Sequence, residues 1–253
     1  KGKEHFWKNP NSKLFYDSII TFPLFFKKNY HTELGIYPIQ PVISKLVFDV
    51  QIFNSLGNKK HEVKNSLIIR KNFEKPHYLN INLILEKNSI FLNQKENYYV
   101  KIIVNSKKVP SRLKFGYNIC NKNKYNFPSN VCFNAVVPNQ SILKKKTTFK
   151  WAPIINKQDS KIIITNFSTL KSKFKKAKVE LKFWREKDCK FLKKNITLND
   201  NGSYWFELNK NLKIKKFLNK KSGWITIFGD SPFLSGFTVE DSNNGVIGAD
   251  HVF

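Results

Sequence analysis

The residues best suited to chemistry crowd the C-terminal end of this chain. Asp250 and His251 stand side by side, preceded by Asp230, Glu240 and Asp241. From Ser222 to Phe253 there is no Lys or Arg, although the formal net charge of the protein is +27. Carboxylate oxygens suit a hard cation such as Ca²⁺, and carboxylates with an imidazole suit a transition metal. The Gly229–Pro232 turn and the Asp241–Gly245 loop are rich in oxygen donors, but neither has the twelve-residue spacing of an EF-hand. The same groups suit sugar hydroxyls, with Trp205 or Trp224 as a ring to stack on.

Catalysis has fewer footholds. The histidines are His5, His31, His61, His77 and His251, and no HExxH, GxSxG, P-loop or GxGxxG pattern occurs. Neighbouring residues of a strand point to opposite faces, so Asp250 is not expected to orient the His251 imidazole. A distant partner such as His31, Glu33, Asp230 or Glu240 would be needed. The reading that follows is a non-enzymatic binding or assembly module. Its ligand-binding residues are expected to be Asp230, Glu240, Asp241, Asp250 and His251, with no cofactor unless a divalent cation. One alternative is a metal-assisted hydrolase built on His251 and carboxylates; another is a Lys-rich polyanion-binding protein.

Such residues need a scaffold, and the sequence between them reads as strands. Apolar residues alternate in Leu46–Ile52 and Leu79–Leu85, and β-branched or aromatic residues dominate Tyr98–Val104, Arg112–Ile119, Lys161–Thr165 and Val179–Trp184. Ser203–Leu208, Gly223–Phe228, Phe233–Val239 and Asp250–Phe253 continue the pattern. Polar turns separate these runs, as at Asn54–Asn58 and Asn199–Gly202. Helical signal is weak, confined to Asn211–Lys221 and Asn88–Asn97. Short strands with polar turns predict an all-β protein of antiparallel β-sandwiches.

Local matches between the halves suggest an internal duplication. Ser44–Phe48 resembles Ser160–Ile164, Phe91–Asn93 resembles Phe217–Asn219, and Gly116 with Phe133 is spaced like Gly236 with Phe253. The expected organisation is a polar arm over 1–13, with Phe6 and Trp7 as docking points, and sandwich domains over 14–138 and 139–253. Charge differs between the copies. Asn97–Ala135 carries Lys101, Lys107, Lys108, Arg112, Lys114, Lys122 and Lys124 with no acid, against the acidic end of the second copy. Complementary ends of this kind predict a protein partner or self-association.

Composition narrows the classes further. Only Arg70, Arg112 and Arg185 are arginine among 45 basic residues, whereas readers of phosphate and base edges favour Arg. Nucleic acid is therefore not expected as a partner, and carbohydrate is retained. No run approaches the ~18 apolar residues of a membrane span. Methionine is absent, which suggests a processed chain; a cytoplasmic location is expected, with export after signal removal as the alternative. Cys120, Cys132 and Cys189 are odd in number and read as buried thiols, with a Cys120–Cys132 bridge conceivable on export.

Overall fold

The computed structural model describes residues 6–8, 18–26, 30–37, 45–70, 73–105, 108–110, 114–121, 129–134, 146–156, 159–168, 176–219, 221–242 and 247–253. The fold is nearly all β. A short ribbon joins β1 (Phe6–Lys8) to β8 (Lys108–Pro110), so the part of the N-terminal arm that is described docks through its backbone.

The first half otherwise forms two four-stranded antiparallel sheets. One has the order β2-β7-β4-β5, from Ser18–Leu24, Tyr98–Asn105, Leu46–Asn54 and Lys59–Ile69. The other has the order β10-β9-β3-β6, from Ser129–Asn134, Lys114–Asn121, Tyr30–Ile36 and His77–Asn80. The second half repeats the plan. Its sheets are β11-β16-β13-β14 (Thr148–Ile154, Gly223–Gly229, Ala177–Arg185, Phe191–Leu198) and β15-β12-β17-β18 (Gly202–Glu207, Asp159–Asn166, Leu234–Asp241, Ile247–His251). With the ribbon set aside, the strands of each half follow the same connectivity, and a helix lies between the fifth and sixth strands in both: α1 (Ile81–Lys87) and α2 (Leu212–Leu218).

The residue matches that suggested duplication fit this shared connectivity poorly. Of the first match, Ser44 lies outside the described residues and Leu46–Phe48 lies in β4, the third strand of its half, whereas Ser160–Ile164 lies in β12, the second. Gly116 and Gly236 do sit on equivalent strands, opposite Cys132 and Val252. Their faces are reversed, however. Tyr117 beside Gly116 points at β2, stacking on Phe22 at 5.1 Å, whereas Phe237 beside Gly236 points away from its own sandwich and meets Tyr117 at 5.3 Å. A slip of one residue exchanges the faces of a strand.

Two expectations for local structure are corrected. Leu79–Leu85 is not a strand, because β6 ends at Asn80 and α1 begins at Ile81. The Asn80 side chain accepts the Leu83 N–H at 3.0 Å, an N-cap that satisfies one of the first helical donors, and Ile81 and Leu85 bury one face. Asn88–Asn97 is a turn region without helix, whereas Asn211–Lys221 does contain α2. The expected division at 138/139 falls outside the described residues. The edge strands β5 and β14 escaped the sequence reading because lysines interrupt them (Lys59, Lys60 and Lys64; Lys193 and Lys194), a pattern that blunts exposed sheet edges.

The core holds the halves together. Inside the second sandwich, Ile162, Ile164 and Phe206 pack against Val179, Leu181, Phe183, Ile225 and Ile227. The opposite face of the same sheet is also buried: Ile163, Phe237, Val239 and Ile247 join the core of the first half. Phe167, which follows β12, stacks on Tyr99 at 4.9 Å and meets Phe53 edge-on at 5.6 Å. Backbone and side chain reinforce this seam, since the Ser203 N–H donates to Ser55 O at 3.0 Å and Asn199 Nδ2 donates to Leu56 O at 2.8 Å. A strand with two buried faces reads as a continuous apolar run, which is what Ile162-Ile163-Ile164 is.

Candidate functional site

The acidic C-terminal residues do not converge on one point. Asp230 lies in the turn after β16, where its Oδ1 accepts the Lys178 N–H at 2.6 Å and so ties that turn to β13. Glu240 and Asp241 are neighbours on β17 and therefore face opposite sides of the sheet. Glu240 accepts a short hydrogen bond from Ser160 Oγ, while its Oε1 is buried without a partner among the described residues. Burial raises its carboxyl pKa to about 7; the Ser160 bond and Lys161 pull down against it, and Asp159 pushes further up.

Asp250 and His251 stand exposed at the end of the edge strand β18. They do touch, contrary to the expectation from strand alternation: His251 Nδ1 lies 2.9 Å from Asp250 Oδ1. Asp250 Oδ1 also accepts the His251 N–H at 2.7 Å. The short Asp side chain folds back along its own backbone, and the imidazole, at the end of the strand, is free to follow. His251 also packs on Phe253 at 4.9 Å. The partners considered for it, His31 and Glu33, belong to β3, where Glu33 accepts from Asn118 Nδ2 at 3.1 Å. Among the described residues, no group of three or more His, Cys, Asp or Glu is arranged to hold a metal ion. The three cysteines are unbridged, and Cys132 and Cys189 are exposed rather than buried. No helix among the described residues is long and apolar enough to cross a membrane.

Asp241 belongs to a different place, a partly enclosed cavity of about 330 Å³ at the seam between the halves. Its walls are Leu24, Phe25, Val239, Ile247 and the half-buried Trp205, whose ring meets Phe25 at 5.6 Å. Lys161 Nζ lies 3.0 Å from Asp159 Oδ2 and 3.4 Å from Asp241 Oδ2, and Tyr30 donates its hydroxyl to the same Asp241 oxygen at 2.9 Å. Burial, reinforced by the bond to Asp241, pushes the Tyr30 hydroxyl up to about 12, so it remains a donor.

A second feature was legible in the sequence only at Trp224, named there as a ring for a sugar. The outer face of β11-β16-β13-β14 carries a platform of aromatic rings in solvent. Pairing sets Pro153, Trp224, Trp184 and Phe191 in one row across the four strands. The next row holds Trp151, Thr226, Lys182 and Lys193, and the one beyond it Phe149, Phe228, Glu180 and Asn195. Trp151 is 45% exposed, Phe191 44%, Phe228 49% and Phe149 62%, so these are rings left in water and not core. Contacts between side chains fix how the rings lie on the platform. Trp184 and Trp224 lie parallel within 9°, 6.1 Å apart, and the Trp184 indole N–H donates to Thr226 Oγ1 at 2.9 Å. Trp151 stacks on Phe253 at 5.5 Å, bringing the C-terminal residue onto its edge. Glu180 pairs with Lys182 at 3.2 Å and with Lys193, which supplies a polar border.

No protein-family model matches the sequence, and no curated protein matches it. Among solved structures it is similar to a Bacteroides uniformis β-glucuronidase, with 10% identity over 93% of this chain and 26% of that chain, at a TM-score of 0.20. Bacteroides uniformis β-glucuronidase 2 covalently bound to cyclophellitol-6-carboxylate aziridine is also similar, with 10% identity over the same shares of both chains and a TM-score of 0.17. The chain spans about a quarter of the length of those enzymes, and likeness at this level carries no argument.

Proposed function

We propose that this protein is a non-enzymatic binding module that holds a carbohydrate chain on the outer face of β11-β16-β13-β14. The observation that carries this reading is the outward-facing row of half-buried Trp224 and Trp184 and exposed Phe191, beside exposed Trp151. A contiguous apolar patch on a soluble surface marks an interaction site. Sugar rings present flat C–H faces that suit indole planes, and their hydroxyls need donors and acceptors nearby. Thr226, Glu180, Lys182 and Lys193 stand in the same rows. Because the rings are already held by stacking and by the Trp184–Thr226 bond, little ordering cost falls on binding.

The test is titration of soluble neutral and acidic polysaccharides followed by tryptophan fluorescence and calorimetry. Trp151→Ala and Trp224→Ala, each checked for folding by circular dichroism, should lose binding. Affinity unchanged from the wild type in both variants, or no response across the polysaccharide panel, would refute the reading.

Self-association through the same face is a second reading, favoured by Phe149 and Phe228, which pair across β11 and β16 and are both exposed. It requires a dimer in sedimentation velocity that Phe149→Ser disrupts. Contact between apolar rings also predicts that this dimer persists in high salt, unlike one guided by charge.

A further inference from the structure

The geometry points to a second site: we propose that the cavity at the seam between the halves binds a small protonated amine with an apolar ring or chain. The cavity holds about 330 Å³, the size of a small-molecule pocket, and most of its wall is apolar. At one end two carboxylates, Asp159 and Asp241, face a single ammonium, Lys161. Among the described residues one negative charge is left over. Glu207, also on the wall, is matched by Lys210 at 2.8 Å and does not alter that balance.

The oxygens show where the excess lies. Both Lys161 contacts and the Tyr30 bond fall on the Oδ2 atoms. Among the described residues Asp159 Oδ1 has no hydrogen-bond partner but is shut off from the cavity, so the part of the surplus that a ligand meets is on the exposed fifth to quarter of the Asp159 and Asp241 side chains. Carboxylates held in a largely apolar cavity with too few cations are costly, and a cationic N–H donor placed against their exposed part offsets that cost. Trp205, Phe25 and Tyr30 surround the same space, and aromatic faces attract a cation. A carboxylate ligand would meet repulsion from Asp159 and Asp241, and a neutral alcohol would leave the surplus charge in place. The ligand class therefore follows from charge and shape together. The site shares no side chain with the aromatic platform, so it stands or falls independently of the carbohydrate reading.

Three probes of one shape separate the outcomes on the intact chain: phenethylamine, 2-phenylethanol and 3-phenylpropionate. Phenethylamine should raise the melting temperature in a concentration-dependent way and change the Trp205 fluorescence, and the other two should do neither. Asp159→Asn, nearly isosteric, should weaken phenethylamine binding about tenfold or more, the loss expected for a hydrogen bond to a charged group. Binding of the alcohol or the acid as tight as that of the amine would overturn the proposal, as would absence of amine binding. The probe series decides the matter on the native chain even if the variant folds poorly. Polysaccharide binding measured alongside should be unaffected by Asp159→Asn.

Discussion

Phe167→Ala tests whether the two halves are one cooperative unit. Phe167 is 4% exposed and fills the seam, stacked on Tyr99 at 4.9 Å and edge-on to Phe53 at 5.6 Å, although it belongs to the other half of the chain. Truncating a buried Phe to Ala costs about 3–5 kcal/mol, from lost transfer energy and the cavity left behind. For a chain of this length each kcal/mol lowers the melting temperature by roughly 2–4 °C, so a fall on the order of 10 °C is expected. Urea denaturation followed by both tryptophan fluorescence and circular dichroism provides the assay. The wild type should show one transition with coincident midpoints, and the variant should shift both signals together. Phe149→Ala, at a 62% exposed ring, should change stability by no more than about 0.5 kcal/mol and serves as the control. A loss below about 1 kcal/mol in Phe167→Ala, or two transitions of which one moves, would refute the seam as a source of stability.

Other expectations bear on the same seam and its neighbours. Glu240 has a carboxyl pKa raised to about 7 by burial, so between the ordinary carboxylate range and pH 7 the folded state holds a proton that the unfolded state has lost. Stability contributed there falls as pH rises through that window. Glu240→Gln should therefore be near neutral at pH 5 and stabilising at pH 8, on the order of 1–2 kcal/mol after allowing for solvent screening of a half-buried group. Melting curves at the two pH values check this, and an equal effect at both would exclude it. Gly57 has φ +87°, and an added Cβ would lie 2.3 Å from Asp200 O. Gly57→Ala should cost about 1–3 kcal/mol from left-handed strain and the backbone clash, read as a lowered denaturation midpoint.

The scaffold was largely legible, and the sites only through single residues: Trp224 of the platform and Trp205 and Asp241 of the cavity. Strands such as β7, β13 and β16 announced themselves through β-branched and aromatic runs, whereas α2 showed only as a weak helical signal over Asn211–Lys221. β14 was hidden because an edge strand needs few apolar residues and this one is broken by Lys193 and Lys194. α1 was missed because Ile81, Leu83 and Leu85 alternate like a strand, while the deciding signal was the Asn80 cap. The acidic C-terminal cluster looked like one site because its members are close in sequence, yet Glu240 and Asp241 occupy opposite faces of β17 and Asp230 closes a turn of another sheet.

By itself the sequence determined the all-β class, since alternating runs with polar turns leave few other ways to bury the apolar residues. It could not say which face of a strand meets water when both are apolar. In β16, Ile225 and Ile227 fill the core while Trp224 and Phe228 stand outside, and only the packing of the two sheets assigns those roles. The cavity is a tertiary product in the same sense. Phe25, Tyr30, Asp159, Trp205 and Asp241 come together because one sheet of the second half buries its outer face against the first, and no local pattern encodes that contact.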